Sequence, residues 1–447
     1  MKRLIVVALA LILLVLPFGV SAQEATDEPV VTNAQAVLDQ LINGDYAGIY
    51  DQFSAEVQAV LTADQLEGAW AQLVQQVGEF EGVIATEFDA ASNTAILHLN
   101  FQVIPLDLLI TFEPDGKISG LRFTQSALQP TAVPTFSEPP YADTDVFSET
   151  EVTINEGGDF PLPGTLSMPN ADGLVPAVLL LSGSGPNDRD ETLYSNKPFR
   201  DLAWGLATQG IAVLRFDKRT LIHGAGGDPT ALTIDYEYTE DALAALELLR
   251  GTEGIDPERI YVAGHSLGGY ILPRIAAQAA NSAGLIYLAP LARPLQDVIV
   301  DQTRYLAELD GTITAAEQQG IDAIQALSDQ INALTEEDAD DDTLLFGAMP
   351  IYYLDLQGYD PVATAADLDL PMLFIQGERD YQVTVADELA LWQAGLGDRA
   401  DVAFETFPTL NHLLMPGDGQ PNPAEYQTPG HVDGGVINAI AEWVNGQ

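Results

Sequence analysis

One serine stands between closely spaced glycines at the end of an apolar run. Residues 264–268 read Gly-His-Ser-Leu-Gly, between a predicted buried strand and a predicted helix. In a strand–turn–helix setting, a Gly-x-Ser-x-Gly pattern exposes the serine hydroxyl above the edge of a sheet. Glycines suit so sharp a bend because a side chain there would collide with neighbouring backbone. We therefore predict that Ser266 is a nucleophile.

A serine hydroxyl needs a general base, and the chain has five histidines from which to supply one. His98 lies in a different part of the chain, His223 precedes the serine, and His265 adjoins it and should point away. His412 follows a predicted strand, whereas His431 lies in a Pro- and Gly-rich loop before the last helix. We favour His412 because open α/β sheets place their sites at the carboxyl ends of strands.

The third member of such a site is an acid that orients the imidazole. Asp380, in the segment FIQGERDYQV, follows a buried strand and a glycine and lies between the serine and the histidine. Glu378 and Asp360 are the nearby alternatives. The order Ser266, Asp380, His412 is the chain order of the α/β-hydrolase fold.

An anion site is expected after the first long buried strand, where residues 182–186 read Ser-Gly-Ser-Gly-Pro. Small residues let backbone N–H groups approach a tetrahedral oxygen. We assign the oxyanion site to the N–H groups of Ser184 and Leu267, with Gly183 as the alternative to Ser184. The stretch lacks the third glycine of a dinucleotide-binding loop, so that interpretation is rejected.

The elements around these residues alternate between short apolar strands and helices, which is typical of a mostly parallel sheet with helices on both faces. A helical stretch interrupts the alternation and predicts a cap, with a helix expected over 314–338 that begins with a Thr314–Glu317 capping box. A small α+β pattern precedes the whole, with helical spacing over 34–53 and 63–78 and alternating apolar residues over 94–104 and 106–123. The boundaries we expect are 1–22 for a signal peptide, 30–125 for the small domain, 126–145 for a Pro-rich linker, and 146–447 for the catalytic domain with a cap at about 291–369.

The first residues predict export. Lys2 and Arg3 precede an apolar run from Leu4 to Leu16, and a small residue stands at Ala22 before a cleavage site. The run is shorter than a comfortable membrane span, which favours a cleaved signal over an uncleaved anchor. We expect a secreted or extracytoplasmic protein without stable membrane insertion after cleavage.

Composition excludes several classes of partner and site. The chain has 66 acidic against 17 basic residues, a formal net charge of -49. Such a surface repels nucleic acid and anionic lipid. The chain has no cysteine, which rules out disulfides, thiolate zinc sites and a cysteine nucleophile. We expect neither a cofactor nor a metal.

The segments LLLSGSGPNDRDE, VLRFDKR, VAGHSLGGY and FIQGERD, together with a later Asn-His pair, resemble the exported α/β-hydrolases classed as esterases. These are related to the serine aminopeptidase-like and dienelactone-hydrolase-like branches. The resemblance covers about residues 152–443 and implies ester hydrolysis through an acyl-enzyme. Arg219-Thr220-Leu221 departs from the more usual Arg-Gly-x-Gly, so the shape of that loop is open. Residues 30–123 resemble a domain of unknown function that precedes bacterial hydrolases.

The leading hypothesis is a serine esterase whose partner is a small-molecule ester. A peptidase for short peptides would use the same residues, and it would also need an anchor for the amino terminus of its substrate. A dehalogenase is disfavoured because its nucleophile would be an aspartate. A catalytically silent binding protein usually lacks a member of the triad, and here all three are present.

Overall fold

A computed structural model describes most of the chain, and it divides into two compact units. The described residues are 29–58, 61–78, 80–89, 92–101, 105–126, 136–224, 232–279, 282–341 and 343–447. The predicted signal peptide (1–22) and part of the predicted linker (127–135) lie outside them. The first unit contains the described residues before Pro134 together with Thr314–Gly320 and Leu344–Gly347, and the second contains the remainder.

The first unit pairs short helices with an antiparallel sheet of four strands in the order β1-β2-β3-β4. Its helices are α1 (Pro29–Ile42), α2 (Tyr46–Tyr50), α3 (Ala55–Gln58) and α4 (Ala63–Val77), and its strands are β1 (Phe80–Asp89), β2 (Thr94–Phe101), β3 (Leu106–Phe112) and β4 (Ile118–Gln125). Alternate residues of β2 and β3 are fully buried in one apolar cluster with α1 and α4, which confirms the predicted α+β layout.

Two features of this unit differ from the pattern expected from the sequence. The first helical stretch is not continuous, because Gly44 takes a φ of 76° and Asp45 caps a new helix by accepting from the Gly48 N–H. A positive φ is favourable for glycine and interrupts a helix. Strand β1 was not predicted, since residues 80–89 show no clear apolar alternation.

The second unit is built on a sheet of eight strands in the order β12-β11-β10-β9-β7-β8-β6-β5. The strands are β5 (Phe147–Ile154), β6 (Leu162–Pro169), β7 (Val175–Leu181), β8 (Ala212–Phe216), β9 (Ile255–His265), β10 (Gly284–Leu288), β11 (Met372–Gly377) and β12 (Val402–Phe407). From β12 to β8 all neighbours are parallel, while β6 and β5 add an antiparallel edge.

Helices follow the parallel strands along the chain, and all but the last lie between two of these strands, as βαβ crossovers require. They are α5 (Pro198–Thr208), α6 (Arg219–Ile222), α7 (Glu240–Gly251), α8 (Leu267–Ala276), α9 (Leu295–Ala307), α10 (Ala315–Asn332), α11 (Pro350–Leu356), α12 (Pro361–Ala366), α13 (Ala390–Leu396) and α14 (Gly434–Gly446). A π-helical turn precedes α7 at Asp235–Thr239 and another precedes α13 at Val385–Leu389.

The strand order places the loops after β7 and β9 side by side. Strand β7 is followed in the chain by β8 on one side, and β9 returns to its other side. Such a reversal opens a crevice at the carboxyl ends of the strands, where ligands bind in open α/β sheets. Every residue of β7 is buried, so the crevice has a rigid floor.

Four helices, α9 to α12, lie between β10 and β11, where the sequence predicts the cap. The predicted Thr314–Glu317 capping box is confirmed, with Thr314 N–H donating to Glu317 and Glu317 N–H to Thr314 Oγ1. However, α10 ends at Asn332 rather than running on to Asp338. Helices α11 and α12 were not predicted, although each begins with a proline, which suits a first helical position.

Candidate active site

Ser266 occupies a strained turn between β9 and α8. Its φ of 52° and ψ of -116° are unusual for a residue with a side chain. Its N–H donates to Leu288 O of the adjacent strand β10 at 2.9 Å, which holds the turn against the sheet. Strain of this kind persists only where the surrounding structure enforces it, and it is concentrated at functional sites.

The glycines around this serine leave no room for side chains. A Cβ on Gly264 would lie 2.4 Å from Gly268 O, and a Cβ on Gly268 would lie 2.6 Å from Leu181 O. Both distances are far inside van der Waals contact. The glycines therefore allow α8 to start directly above the end of β7, as the sequence pattern predicted.

The structure brings two of the predicted residues into direct contact. His412 Nδ1 lies 2.7 Å from Asp380 Oδ2, and both side chains are buried. A carboxylate can only accept, so Nδ1 carries the proton and the neutral ring presents an unprotonated Nε2. Within the described part of the chain, Nε2 has no hydrogen-bond partner. This is the tautomer that a general base needs.

Asp380 is held firmly by its own loop after β11. Its Oδ1 accepts from the N–H groups of Gln382 (2.8 Å) and Val383 (2.9 Å), and its Oδ2 accepts from Gln376 Nε2 (3.1 Å) as well as from His412. These four donors fix the direction of the carboxylate, so it can hold His412 in one orientation.

The alternative acids have other roles. Glu378 Oε1 accepts from the Thr406 hydroxyl at 2.9 Å, in an exposed pair. Asp360 caps the amino terminus of α12 by accepting from the Ala363 N–H at 2.9 Å. Neither has a hydrogen bond to a histidine among the described residues.

The alternative base, His431, lies in a different hydrogen-bond chain. Its Nδ1 is 3.1 Å from Asp201 Oδ1 and its Nε2 is 3.0 Å from Ser137 Oγ. Burial raises the pKa of the Asp201 carboxyl to about 6. Of the remaining histidines, His98 is buried in the first unit and contacts Asp107.

The backbone N–H groups predicted for the oxyanion site differ in whether they already donate a hydrogen bond within the described residues. Gly183 N–H donates to Glu191 Oε1 at 2.7 Å and is thereby occupied. No hydrogen bond from Ser184 N–H is found within the described residues. Leu267 is the first residue of α8, and the first N–H groups of a helix have no partner inside it. The arrangement favours Ser184 over Gly183 as the partner of Leu267.

Glu191 and His265 form a buried pair that sequence reasoning missed. His265 Nδ1 is 2.9 Å from Glu191 Oε1, and His265 Nε2 is 2.9 Å from His412 O. Both partners are acceptors, so both ring nitrogens carry protons and His265 is an imidazolium. Burial lowers the pKa of His265, but the Glu191 carboxylate outweighs it and the pKa lies above its ordinary 6.5.

Lys218 is a second buried group beside the site. It follows β8, is 3% exposed, and donates to the carbonyl oxygens of Gly183 and Gly185 at 2.8 and 3.0 Å. The signal available in the sequence was a lysine directly after an apolar strand, in a chain with four lysines. The next residues form α6 instead of the usual glycine-rich loop.

Nothing in the described part of the chain resembles a metal centre: no group of three His, Asp or Glu side chains there could hold an ion. Across the same residues, no helix has the length and apolarity to cross a membrane.

The fold and the site together define an α/β-hydrolase, with a Gly-x-Ser-x-Gly turn after β9 and a His–Asp pair after β12 and β11. The chain belongs to the hydrolase family described as serine aminopeptidase, S33, whose model matches residues 195–419. It is 36% identical to Esterase EstD of Thermotoga maritima over 98% of both chains. These matches confirm the resemblance that the sequence motifs indicated. Residues 34–121 match a family described as a protein of unknown function (DUF3887).

Solved structures also show similarity to the chain. Est1E from Butyrivibrio proteoclasticus is 20% identical, with 66% of this chain and 98% of that one covered and a TM-score of 0.42. A protein described as a dienelactone hydrolase from Klebsiella pneumoniae is 16% identical, with 67% and 99% covered and a TM-score of 0.40.

Proposed function

We propose that this protein is a serine esterase that hydrolyses small or medium carboxylic esters through an acyl-enzyme on Ser266. The observation that carries the proposal is the 2.7 Å contact of His412 Nδ1 with Asp380 Oδ2, at the sheet edge where the strained Ser266 turn also lies. The esterase EstD, a full-length relative, supports the choice of an ester substrate.

In the first half of the proposed reaction, Ser266 Oγ attacks the ester carbonyl carbon as His412 Nε2 takes the hydroxyl proton. The carbonyl oxygen becomes an oxyanion, which accepts hydrogen bonds from Ser184 and Leu267 N–H. When the carbonyl re-forms, the bond to the alcohol oxygen breaks. His412 returns its proton to that oxygen, and the alcohol leaves.

In the second half, a water molecule attacks the acyl-enzyme carbonyl and gives its proton to His412. The second tetrahedral intermediate uses the same oxyanion donors. Its collapse breaks the bond to Ser266 Oγ, which regains the proton from His412 and releases the carboxylic acid. Throughout, Asp380 stabilises the imidazolium form of His412, and its four hydrogen bonds keep that carboxylate in place.

A substrate panel tests this proposal. p-Nitrophenyl esters from acetate to decanoate should be hydrolysed, and aminoacyl p-nitroanilides should not. A fluorophosphonate probe should label the wild-type protein at Ser266. Ser266→Ala should lose labelling and turnover together, because no other hydroxyl occupies the turn.

The matched control is Ser137→Ala, which removes a serine hydroxyl that is hydrogen-bonded to the other candidate base, His431, and it should keep full turnover. Turnover of nitroanilides alone would replace the esterase with an aminopeptidase using the same residues. An active Ser266→Ala variant would overturn the nucleophile assignment, and a wild-type protein inert to probe and substrates would favour the silent binding protein.

A further inference from the structure

A buried lysine lies directly beneath the loop that follows β7. Lys218 Nζ contacts Gly183 O (2.8 Å), Gly185 O (3.0 Å), Tyr238 OH (2.5 Å) and Glu237 Oε1 (2.8 Å). A buried ammonium carries a desolvation cost of several kcal/mol unless it is paired and fully hydrogen-bonded. Here the Glu237 carboxylate supplies the pairing and the other contacts take up the protons, so the charge is retained inside the protein.

The partners of Lys218 are themselves fixed. Tyr238 OH donates to Gly183 O at 2.7 Å, and Tyr352 OH donates to Glu237 Oε2 at 2.7 Å. All three groups are buried, with Glu237 6% and Tyr238 4% exposed. Burial lowers the pKa of Lys218 while its pairing with Glu237 raises it, and the net shift is downward from 10.5.

These donors converge on one peptide group. Gly183 O accepts from Lys218 Nζ and Tyr238 OH, and also from Asn187 Nδ2 at 3.1 Å. That oxygen belongs to the same planar peptide unit as the N–H of Ser184. Fixing the carbonyl on one side of the unit therefore fixes the direction of the N–H on the other side.

We propose that Lys218 is a positioning residue for the oxyanion site, acting through the Gly183–Ser184 peptide to aim and polarise the Ser184 N–H. The inference rests on the proposed esterase function and adds a residue to its machinery. Lys218 touches neither substrate nor reacting atoms in this mechanism. Its effect reaches the transition state only through the peptide that it holds.

Two effects contribute, and their sizes differ. Removing an oxyanion donor outright costs roughly 10²- to 10³-fold in kcat. Cooperative polarisation strengthens a hydrogen bond by about 10–30%. Applied to the free energy of one oxyanion hydrogen bond, that fraction corresponds to a change in kcat of about two- to eightfold. Any larger loss of kcat must come from orientation, because a Gly183–Ser184 peptide unit that nothing holds could rotate the Ser184 N–H away from the oxyanion. Loss of Lys218 should therefore cost more than polarisation alone.

The central test is the double variant Lys218→Met/Glu237→Gln, which removes the ammonium without leaving a buried carboxylate unpaired. We expect kcat to fall roughly 10- to 100-fold with KM changed by less than about twofold. A trifluoromethyl ketone analogue forms an oxyanion on Ser266, and its affinity should fall by the same factor as kcat. The matching ether, which forms no oxyanion, should bind unchanged. If Lys218 had only a structural role, its loss would not lower the affinity for the ketone while leaving the affinity for the ether unchanged.

Two further variants keep the test decisive. Tyr238→Phe removes one donor to Gly183 O and keeps the charge, so kcat and ketone affinity should fall together by about two- to eightfold. Lys197→Met removes a partly buried lysine that pairs with Asp190 at 3.1 Å, and it should leave both values unchanged. If the double variant does not fold, Tyr238→Phe gives the answer.

Unchanged kcat and ketone affinity in the folded variants would overturn the role of Lys218 and leave the esterase proposal standing. Turnover that survives in Ser266→Ala would instead overturn the esterase proposal itself. The two failures are therefore distinguishable.

Discussion

His412 and His431 both present Nδ1 to a buried aspartate, at 2.7 Å from Asp380 and 3.1 Å from Asp201. The difference between them lies on the other ring nitrogen. His431 Nε2 already contacts the exposed Ser137, which comes before the sheet begins. His412 Nε2 is unpartnered within the described residues. A histidine beside a buried carboxylate is therefore insufficient evidence of catalysis, and the serine in the strained turn is the distinguishing feature.

This contrast gives a prediction for the two histidines. His412→Ala should reduce ester turnover by roughly 10⁴-fold or more, because the members of a Ser-His-Asp unit act together. Asp380→Asn should also be nearly inactive, since it favours the wrong tautomer of the imidazole. The matched pair, His431→Ala and Asp201→Asn, should keep most of the turnover. Steady-state kinetics on a p-nitrophenyl ester measures all four, and an inactive His431→Ala beside an active His412→Ala would move the base to His431.

At the scale of the elements, the Glu191–His265 pair joins three strand ends. Glu191 Oε1 accepts from Gly183 N–H after β7 and from His265 at the end of β9. His265 in turn donates to His412 O after β12. One ion pair thus fixes the anion loop and the base loop relative to the serine turn.

The pair should make the stability of the second unit depend on pH. The pKa of folded His265 is raised above 6.5. Its stabilisation is therefore fully present below pH 6.5 and is lost as the pH rises through the raised value. The free energy of unfolding, measured with urea from pH 5 to 9, should be larger for the wild type than for Glu191→Gln by about 1.5–3 kcal/mol at pH 5. This is the usual range for a hydrogen bond to a charged group. This difference in the free energy of unfolding should become smaller as the pH approaches 9.

Imidazole ¹⁵N shifts give an independent measurement. At pH 7 the wild-type protein should show His265 with both ring nitrogens protonated, its signals being assigned by their loss in His265→Gln. A neutral His265 at that pH, or a stability gap that widens with rising pH, would contradict the charged pair.

The elements that carry the predicted triad could be derived from the sequence, and the partners of Glu191 and Lys218 could not. Ser266, Asp380 and His412 each follow an apolar strand closely, so local pattern alone indicates them. Glu191 and Lys218 act on groups that reach them only because β8 and β9 flank β7. Strand order is set by packing of the whole sheet and leaves no mark on local periodicity.

Strand β5 was not predicted from the sequence, and the reason is local. The middle of β5 is exposed or half-buried on both faces, with only Phe147 and Ile154 buried. A strand without a buried face shows no apolar alternation. It pairs antiparallel with β6 at the sheet edge, and its acidic residues suit an edge strand that must avoid pairing with another chain.

At the scale of the whole molecule, the formal charge is strongly one-sided, and a few of the basic residues are buried in ion pairs. Of 17 basic residues against 66 acidic ones, Arg215, Arg219 and Lys218 are at most 3% exposed. Each neutralises carboxylates inside the second unit. These buried pairs leave the net charge at -49, so acidic groups that face the solvent far outnumber basic ones and repel one another.

Screening should therefore stabilise the protein. Between 10 mM and 150 mM salt the Debye length falls from about 30 Å to about 8 Å, so calorimetric unfolding temperatures should rise by roughly a few degrees. Sodium and potassium chloride should act equally, because ionic strength is the cause. A fall in unfolding temperature with salt would show that attractive ion pairs outweigh the repulsion.

Because the turn at Asp235–Thr239 is π-helical, the contacts that Lys218 makes beneath the loop after β7 depend on the number of residues in that turn. Such a turn holds one residue more than an α-helical turn, and its members Glu237 and Tyr238 both reach Lys218. Deleting one residue would restore a regular helix and swing the following side chains by about 100°. The composition of the segment would scarcely change, yet the ammonium would lose its counterion. A family member one residue shorter here would need a different way to hold its anion loop.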